Sequence, residues 1–283
     1  MKPLCLRVCA LALMPVLLAA CATTNEPLIS APAKMIEPTA ATALVDDLPP
    51  PPDPVYVAVY DFPDLTGQYK PGSKFAEYSK AVTQGADAIL VDVLQNAGHG
   101  KWFDVVERRG LTDILKERQL IAATRQQFLG QKADPLPPLN FAGMLFEGGI
   151  VAYESNVATG GLGAKYLGIG ADTQFQVDVV TINLRAVSVK TGKVLRSVTT
   201  TKRLYSTSLH GSAFKYVGLN ELLELEAGVT QNQPAQLAVR EAIEYAVYSL
   251  IVEGAEKGLW SFADQAKGQE VMAKFQAKQG AMM

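Results

Sequence analysis

The sequence predicts an α+β fold: a mixed α/β domain from which two long β-hairpins extend. Runs of alternating apolar residues typical of strands are separated by segments whose apolar residues recur at helical spacing. Two stretches keep this alternation for longer than an ordinary strand does. A length of 283 residues and a hydrophobic content of 48% suffice for one large domain or two small ones. The composition excludes collagen-like and disordered chains, and a net charge of −2 argues against a general nucleic-acid binder.

The N-terminus has the features of a bacterial secretory leader. Lys2 and Arg7 form a positive segment, and residues 11–20 form an apolar segment that is too short to span a membrane. Residues 18–21 resemble a bacterial lipobox, in which cleavage precedes a cysteine that is then acylated. We therefore predict a lipoprotein signal peptide at 1–20 and covalent lipid on Cys21. The alternative is an ordinary signal peptide followed by a coincidental cysteine.

The cysteines narrow the chemistry of the remaining chain. Cys5 and Cys9 lie in the predicted leader, so no thiol remains after Cys21. Disulfides, cysteine-based metal sites and thiol nucleophiles are therefore not expected. Residues 21–54 are rich in proline, including the run at 49–54, and are predicted to form an extended, lipidated linker. The ordered domain is predicted to begin at Val55 and to cover 55–283.

Periodicity and turn residues place the elements of this domain in order. Strands are predicted at 55–61, 102–106, 146–155, 180–189 and 194–201, with a turn at 190–193 between the last two. Helices are predicted at 77–96, 111–128 and 236–254, with a weaker one at 260–279. The first helix is expected to end at the Asn96-Ala97-Gly98 sequence, where glycine permits a left-handed stop.

The first long alternating stretch covers residues 167–179. Its apolar positions include Leu167, Ile169 and Phe175, and its thirteen residues exceed the roughly 9–11 that a membrane-spanning strand needs. The apolar residues stand at odd-numbered positions up to Val179 and at even-numbered positions from Val180 on. Such a reversal indicates either a β-bulge or a strand that leaves one apolar environment and enters another.

A second stretch, residues 204–229, alternates around Leu223 and Leu225. Two long hairpins on a soluble sheet are the alternative to membrane insertion, because the barrel signal is weak in each single segment. Four strands cannot close a barrel without leaving unpaired edges in lipid. A membrane interpretation therefore requires several copies that share one transmembrane β-barrel.

No pattern in the sequence predicts an enzyme, a cofactor or a metal site. The two histidines, His99 and His210, are far apart in the chain, and His99 lies between two glycines. The zinc-protease, nucleophile-elbow and phosphate-loop motifs are absent. We therefore expect no catalytic residue, and the lipid on Cys21 is the only non-protein group predicted.

Several motifs resemble the curli secretion channel family, the CsgG-type outer-membrane lipoproteins. The glycine-rich block at 160–174 is the most specific of them. The others are Asp64–Pro71, Ala81–Gln84, Trp102-Phe103, Glu107-Arg108, Gly110-Leu111, Glu117-Arg118, Glu147-Gly148, Tyr153–Val157, Asn183–Arg185, Thr191-Gly192 and Gly258–Trp260.

The resemblance implies a homo-oligomer of nine copies in the outer membrane, each with a periplasmic domain. Each copy would give hairpins at about 157–177 and 207–227, with Leu167, Ile169, Phe175, Leu223 and Leu225 toward lipid. The result is a 36-stranded barrel, at the upper end of known sizes. Such a channel passes unfolded curli subunits, which form functional amyloid. A periplasmic capping protein and a small extracellular coupling factor are the implied accessory partners.

The family also implies a constriction loop at residues 72–79. Counting back from the 81–84 motif puts the family's aromatic residue at Tyr78 and its amide residue at Glu77, whereas a second alignment selects Phe75. A different use of Tyr78 and Phe75 is to staple the start of the following helix to the core. The alternative to a secretion channel is a monomeric outer-membrane lipoprotein that docks on a periplasmic partner such as a cell-wall synthase.

Overall fold

The computed structural model describes residues 35–67, 82–130, 134–159, 174–208, 214–217 and 234–280. For 155–159, 174–176, 205–208, 214–217 and 234–235 it describes the backbone alone. The chain divides into two units, Met1–Glu37 and Pro38–Met283, and the second unit carries all the described helices and strands. These are α1 (Thr42–Asp46), β1 (Val55–Val59), α2 (Ala86–Gly100), β2 (Phe103–Val105), α3 (Leu111–Leu129), β3 (Met144–Thr159), β4 (Gln174–Ser188), β5 (Val194–Ser208), β6 (Phe214–Val217), α4 (Pro234–Glu256) and α5 (Gln265–Gly280).

The described strands form one mixed sheet in the order β2-β1-β3-β4-β5-β6. Strands β1, β2 and β3 run parallel, whereas β3 to β6 form an antiparallel meander. The predicted α+β class is therefore confirmed for the domain. The antiparallel strands are 15 or 16 residues long, apart from the short β6, and thus extend beyond the predicted 146–155, 180–189 and 194–201.

Helix α4 covers one face of the sheet. The helix confirms the prediction at 236–254 and is buried on nearly all sides between residues 242 and 252, where only Tyr245 is half-buried. The Thr200 hydroxyl donates to the Ala242 carbonyl at 2.8 Å, and Lys202 pairs with Glu241 at 2.6 Å. These contacts fix α4 on β5. The buried apolar residues of α4 include Ala238, Val239, Ala242, Ile243, Ala246, Val247, Tyr248, Leu250, Ile251 and Val252, and Glu244 and Ser249 are buried with them.

Residues 38–54 differ from the predicted linker, because they belong to the folded unit. Val45 and Leu48 are each only 2% exposed within the main core. The Trp102 indole Nε1 donates to the Pro49 carbonyl at 2.9 Å, and the Ala263 amide donates to Pro50. Burial of these apolar side chains offsets the loss of chain entropy, so the proline-rich end of this segment is docked.

Helix α2 begins later than predicted and ends as expected. Residues 82–85 are not helical and α2 starts at Ala86, while the predicted residues 77–81 lie outside the described residues. Regular helical geometry stops at Asn96, and Gly98 has a φ of 60°. A Cβ there would stand 2.6 Å from the Trp102 ring and 3.0 Å from the Leu48 carbonyl. Gly98 thus provides both the left-handed turn and a close approach to the docked segment.

Helices α3 and α5 correct two further expectations. Residues 260–264 are not helical, so α5 starts only at Gln265. Helix α3 forms where predicted but none of its residues is buried, and Leu120 and Phe128 are 60% and 76% exposed. The apolar side chains of this amphipathic helix are therefore not buried against the described part of this chain. Instead, Arg118 and Arg125 donate to backbone carbonyls of the proline-rich segment 134–140.

Candidate functional site

The described residues contain no group of three or more metal-ligating side chains that could hold an ion. His99 Nε2 lies 3.8 Å from Asp47 Oδ1, and both side chains are well exposed. A search of the helices in the described ranges found no candidate membrane span. The features of functional interest are instead the long antiparallel strands, a surface cleft and the neck of the predicted constriction loop.

The antiparallel strands keep their pairing far beyond the helix-covered part of the sheet. The β3–β4 ladder continues to Thr159 opposite Gln174, and the β4–β5 ladder to Gln174 opposite Ser208. Phe175, predicted to face lipid, lies opposite Ala158 and Thr207, although its side chain is outside the described set. Strand β4 therefore contributes the end of the first predicted hairpin, and β5 continues into the start of the second.

The structure shows how strand β4 passes through the reversal at Val180. Asp178, Val180 and Ile182 are buried on the helix-covered face, whereas Val177 and Val179 are half-buried on the other. The β3–β4 register shifts where Ile150 and Ala152 face Ile182 and Thr181, so β3 has an extra residue beside the reversal. The β4–β5 register shifts where Ala186 and Val187 face Arg196 and Val194, so the extra residue there is on β5. Strand β4 itself has no extra residue at the reversal. The strand keeps one geometry while its apolar residues change face.

The remaining predicted site residues lie outside the described residues. These are Cys21, the constriction candidates Phe75, Glu77 and Tyr78, and the hairpin positions Leu167, Ile169, Leu223 and Leu225. They stay predictions. What the structure describes is the framework on either side of them, namely the strand ends at residues 159, 174 and 208 and the two ends of segment 68–81.

The outgoing end of segment 68–81 is fixed to strand β3. The Leu65 amide donates to the Ile150 carbonyl at 2.9 Å, and the Ile150 amide donates to the Pro63 carbonyl at 3.0 Å. Asp64 Oδ1 accepts hydrogen bonds from the amide of Thr66 at 2.9 Å and from its hydroxyl at 2.6 Å. This local turn is typical of an aspartate whose side chain accepts hydrogen bonds two residues further along the chain.

The returning end of the segment is joined to the outgoing end. The Gln84 side-chain Nε2 donates to Asp64 Oδ2 at 3.0 Å and approaches the Val82 carbonyl at 3.3 Å. Val82 is 4% exposed in the core. Sequence reasoning missed Gln84 as a functional candidate, because no local pattern identifies a partner twenty positions away.

A second polar cluster binds the N-terminal part of the folded unit to α4. Glu244 is 2% exposed and accepts hydrogen bonds from the hydroxyls of Thr39 and Thr42 and from Arg240. Arg240 also pairs with Asp92 on α2. Burial raises the pKa of the Glu244 carboxyl above its usual value, and the three donors oppose that shift.

A cleft of about 350 Å³ lies between α2 and the carboxyl ends of β1 and β2. This edge of a parallel arrangement is a common ligand site. Here, however, Asp87 pairs with Arg109, the Glu107 carboxylate accepts the Gly110 amide at 2.7 Å, and Arg108 donates to the Asn140 carbonyl. These charged groups are engaged with the protein itself, so the cleft indicates no particular ligand.

Comparison with known proteins gives a consistent result over most of the chain. The family model described as curli production assembly/transport component CsgG matches residues 40–280. Curli production assembly/transport component CsgG of Escherichia coli is 41% identical over 231 residues, which cover 81% of this chain and 82% of that protein. The proteins of the same name from Citrobacter koseri and Salmonella typhimurium are 41% identical over equal shares.

Similarity to solved structures is weaker. Lipoprotein GNA1162 from Neisseria meningitidis has a TM-score of 0.28 at 12% identity and covers 53% of this chain and 83% of its own. A PelC dodecamer from Paraburkholderia phytofirmans has a TM-score of 0.27 at 12% identity, covering 72% and 93%. These scores support no conclusion about function.

Proposed function

The chain belongs to the curli production assembly/transport component CsgG family, and on this premise we propose that it forms an oligomeric secretion channel in the outer membrane. Unfolded curli subunits are the proposed cargo. Cys21 carries the lipid anchor, and the channel has neither a catalytic residue nor a cofactor. The proposed assembly is a nonamer, served by a periplasmic capping protein and a small extracellular coupling factor.

One observation about strand β4 supports the channel most strongly. The strand passes residue 180 without an extra residue of its own while its apolar residues move from the helix-covered face to the other face. A soluble sheet has no reason to make this exchange, because its core stays on one side. A strand that leaves a domain core and enters lipid requires this exchange. In the membrane, lipid lies on the face of the strand that is opposite to the helix-covered face within the domain.

The proposed barrel is shared between copies because one chain does not supply enough strands. The described part of the sheet ends at the free edges of β2 and β6. An open edge in the hydrocarbon core would leave backbone groups without hydrogen-bond partners. Closing the edges with strands from neighbouring copies removes that cost, so we infer that oligomerisation and membrane insertion occur together.

We further propose that residues 72–79 form the constriction, with Tyr78 as the principal aromatic residue and Phe75 as its competitor. A ring of aromatic side chains contacts every passing residue weakly, so an extended chain moves without stalling. Glu77 at the axis would bring equal charges together, and repulsion would raise the pKa of such carboxylates.

Planar-bilayer recordings on the lipidated assembly test this proposal. Truncation of the constriction residue, as Tyr78→Ala or Phe75→Ala, should leave the assembly intact and raise the single-channel conductance. If neither change alters the conductance and both destabilise the assembly, the residues are core staples and the loop is not the constriction. A Cys21→Ala variant should lose membrane fractionation, and unchanged fractionation and secretion would contradict the lipid anchor.

A further inference from the structure

The face of the sheet opposite α4 changes its chemistry along strands β4 and β5. From residue 181 to 185 on β4 and from 197 to 201 on β5 its side chains are polar, whereas the next positions along β4 are the half-buried Val179 and Val177. Arg203 on β5 lies directly opposite Val179, at the point of change. We propose that Arg203 binds the phosphodiester of an anionic phospholipid headgroup and thereby fixes the depth at which the strands enter the membrane. This inference rests on the proposed function, because that function assigns lipid to the continuation of this face.

The direction of the Arg203 side chain follows from its neighbours on β5. Successive side chains of a strand point to opposite faces of the sheet. The Thr200 hydroxyl and the Lys202 amine both contact α4. Thr201 and Arg203 therefore point away from α4, and both are exposed. Arg203 thus lies on the same face as Val179, the face that continues toward lipid in the proposed channel.

The polar side chains of this face hydrogen-bond one another across the two strands. Thr181 Oγ1 lies 3.1 Å from Thr201 Oγ1, and Asn183 Nδ2 donates to Thr199 Oγ1 at 3.1 Å. Hydroxyl and amide groups on the open face of an antiparallel sheet are typical of a face in water. The boundary between water and lipid on this face is therefore expected next to the row of Thr181 and Thr201, where Arg203 lies.

The Arg203 guanidinium has no ion-pair partner among the described residues. Arg185, on the same face, pairs instead with Glu147 at 3.0 Å. Glu154 stands in the row of Arg203, but Val179 lies between them. Two strand spacings separate the two backbones by about 10 Å. Arg203 is therefore an exposed planar cation, and its fork of N–H donors matches two oxygens of a phosphate group.

The distance from Arg203 to the predicted second hairpin matches the headgroup layer. That hairpin is predicted to begin at about 207, and β5 is a continuous strand from Val194 to Ser208. Four residues of strand rise about 13 Å, which a tilt of about 45° reduces to about 9 Å along the membrane normal. The headgroup layer extends about 5–8 Å beyond the hydrocarbon on each side. An arginine keeps its apolar stem on apolar surface while its head reaches such a polar layer.

The cysteine content of the chain allows a single fluorescent reporter beside Arg203. No cysteine follows Cys21, and the thiol of Cys21 is acylated in the proposed mature protein. A bimane attached to Thr201→Cys therefore labels one position, two residues from Arg203 on the same face. The label is present in every variant compared, so loss of the Thr201 hydroxyl does not affect the comparison. Lipids that carry a nitroxide near their carbonyl groups quench a bimane that they contact.

The experiment compares two quenchers on the lipidated assembly in phosphatidylcholine vesicles. Part of the lipid is replaced by nitroxide-labelled phosphatidylglycerol or by nitroxide-labelled phosphatidylcholine. With Arg203 present, the anionic lipid should quench the label preferentially, and Arg203→Gln should reduce this preference about fivefold, the effect of one basic residue near an anionic surface. Arg203→Lys should keep most of the preference because the charge remains. Lys193→Gln is the matched control, since it removes one exposed positive charge at the other end of β5.

The outcomes separate the headgroup site from the proposed function. Quenching without a preference for the anionic lipid, or an equal loss of preference in Lys193→Gln, would overturn the site. A second label at Phe175→Cys reports whether the hairpin is in lipid at all. If lipid quenches that label but not the label at Thr201→Cys, another copy or another protein covers this face, and the site falls while the channel stands. If lipid quenches neither label, both proposals are overturned.

Discussion

Removal of the buried Glu244 carboxylate should loosen the N-terminal part of the folded unit. In the intact protein this side chain accepts hydrogen bonds from Thr39, Thr42 and Arg240, and it is 2% exposed. Glu244→Ala removes this acceptor from the hydroxyls of Thr39 and Thr42. The Arg240 side chain, which is 16% exposed, then keeps Asp92 as its remaining ion-pair partner among the described residues. Losing a charged hydrogen-bond acceptor in this way costs about 1.5–3 kcal/mol.

The corresponding shift is readily measured by thermal unfolding. In a chain of this size 1 kcal/mol changes the melting temperature by roughly 2–4 °C, so Glu244→Ala should lower it by about 3–12 °C. Glu270→Ala is the control, because Glu270 pairs with Lys274 on the exposed face of α5, where solvent screens the pair and its loss changes stability little. Limited proteolysis should cut the Glu244→Ala variant first between residues 38 and 48. A melting temperature within about 2 °C of the wild type would refute the reasoning.

Three other perturbations test separate parts of the molecule. Burial raises the pKa of Glu244, so the folded state holds the proton of this carboxyl more tightly than the unfolded state does. Lowering the pH through that raised pKa toward 4.5 should therefore stabilise the wild type relative to Glu244→Gln. Thermal unfolding across pH checks this, and an opposite trend contradicts it. In Gly149→Ala the new Cβ would stand 2.6 Å from the Pro63 carbonyl, and denaturant unfolding should show a loss of about 1–3 kcal/mol. Phe175→Arg should cost about 2–4 kcal/mol of membrane-inserted stability while Gln174→Arg costs little, and equal tolerance would indicate a soluble sheet.

The sequence predicts an element well when the element's own pattern determines its burial. Helix α4 forms where its broad set of apolar residues predicts a helix, and it is buried on nearly all sides between residues 242 and 252. Gly98 ends the regular part of α2 because only glycine fits both its φ and the approach of Trp102. These outcomes follow from local periodicity and local backbone preference.

Features that depend on distant partners could not be predicted in the same way. The prolines at 49–54 indicate an extended segment, but docking requires a receptor for Val45 and Leu48, and α2, α4 and Trp102 provide it only after folding. The hydrogen bond from Gln84 to Asp64 is likewise a long-range contact. Helix α3 shows the converse case, since its amphipathic pattern finds no buried partner in the described chain.

Electron microscopy of the lipidated protein purified in detergent tests the central claim most directly. We expect closed rings of about nine copies, with a central channel and a strand-built barrel of about 36 strands, at the upper end of known barrels. Single small particles at every detergent and protein concentration would contradict the channel and would favour a monomeric lipoprotein that docks on a periplasmic partner.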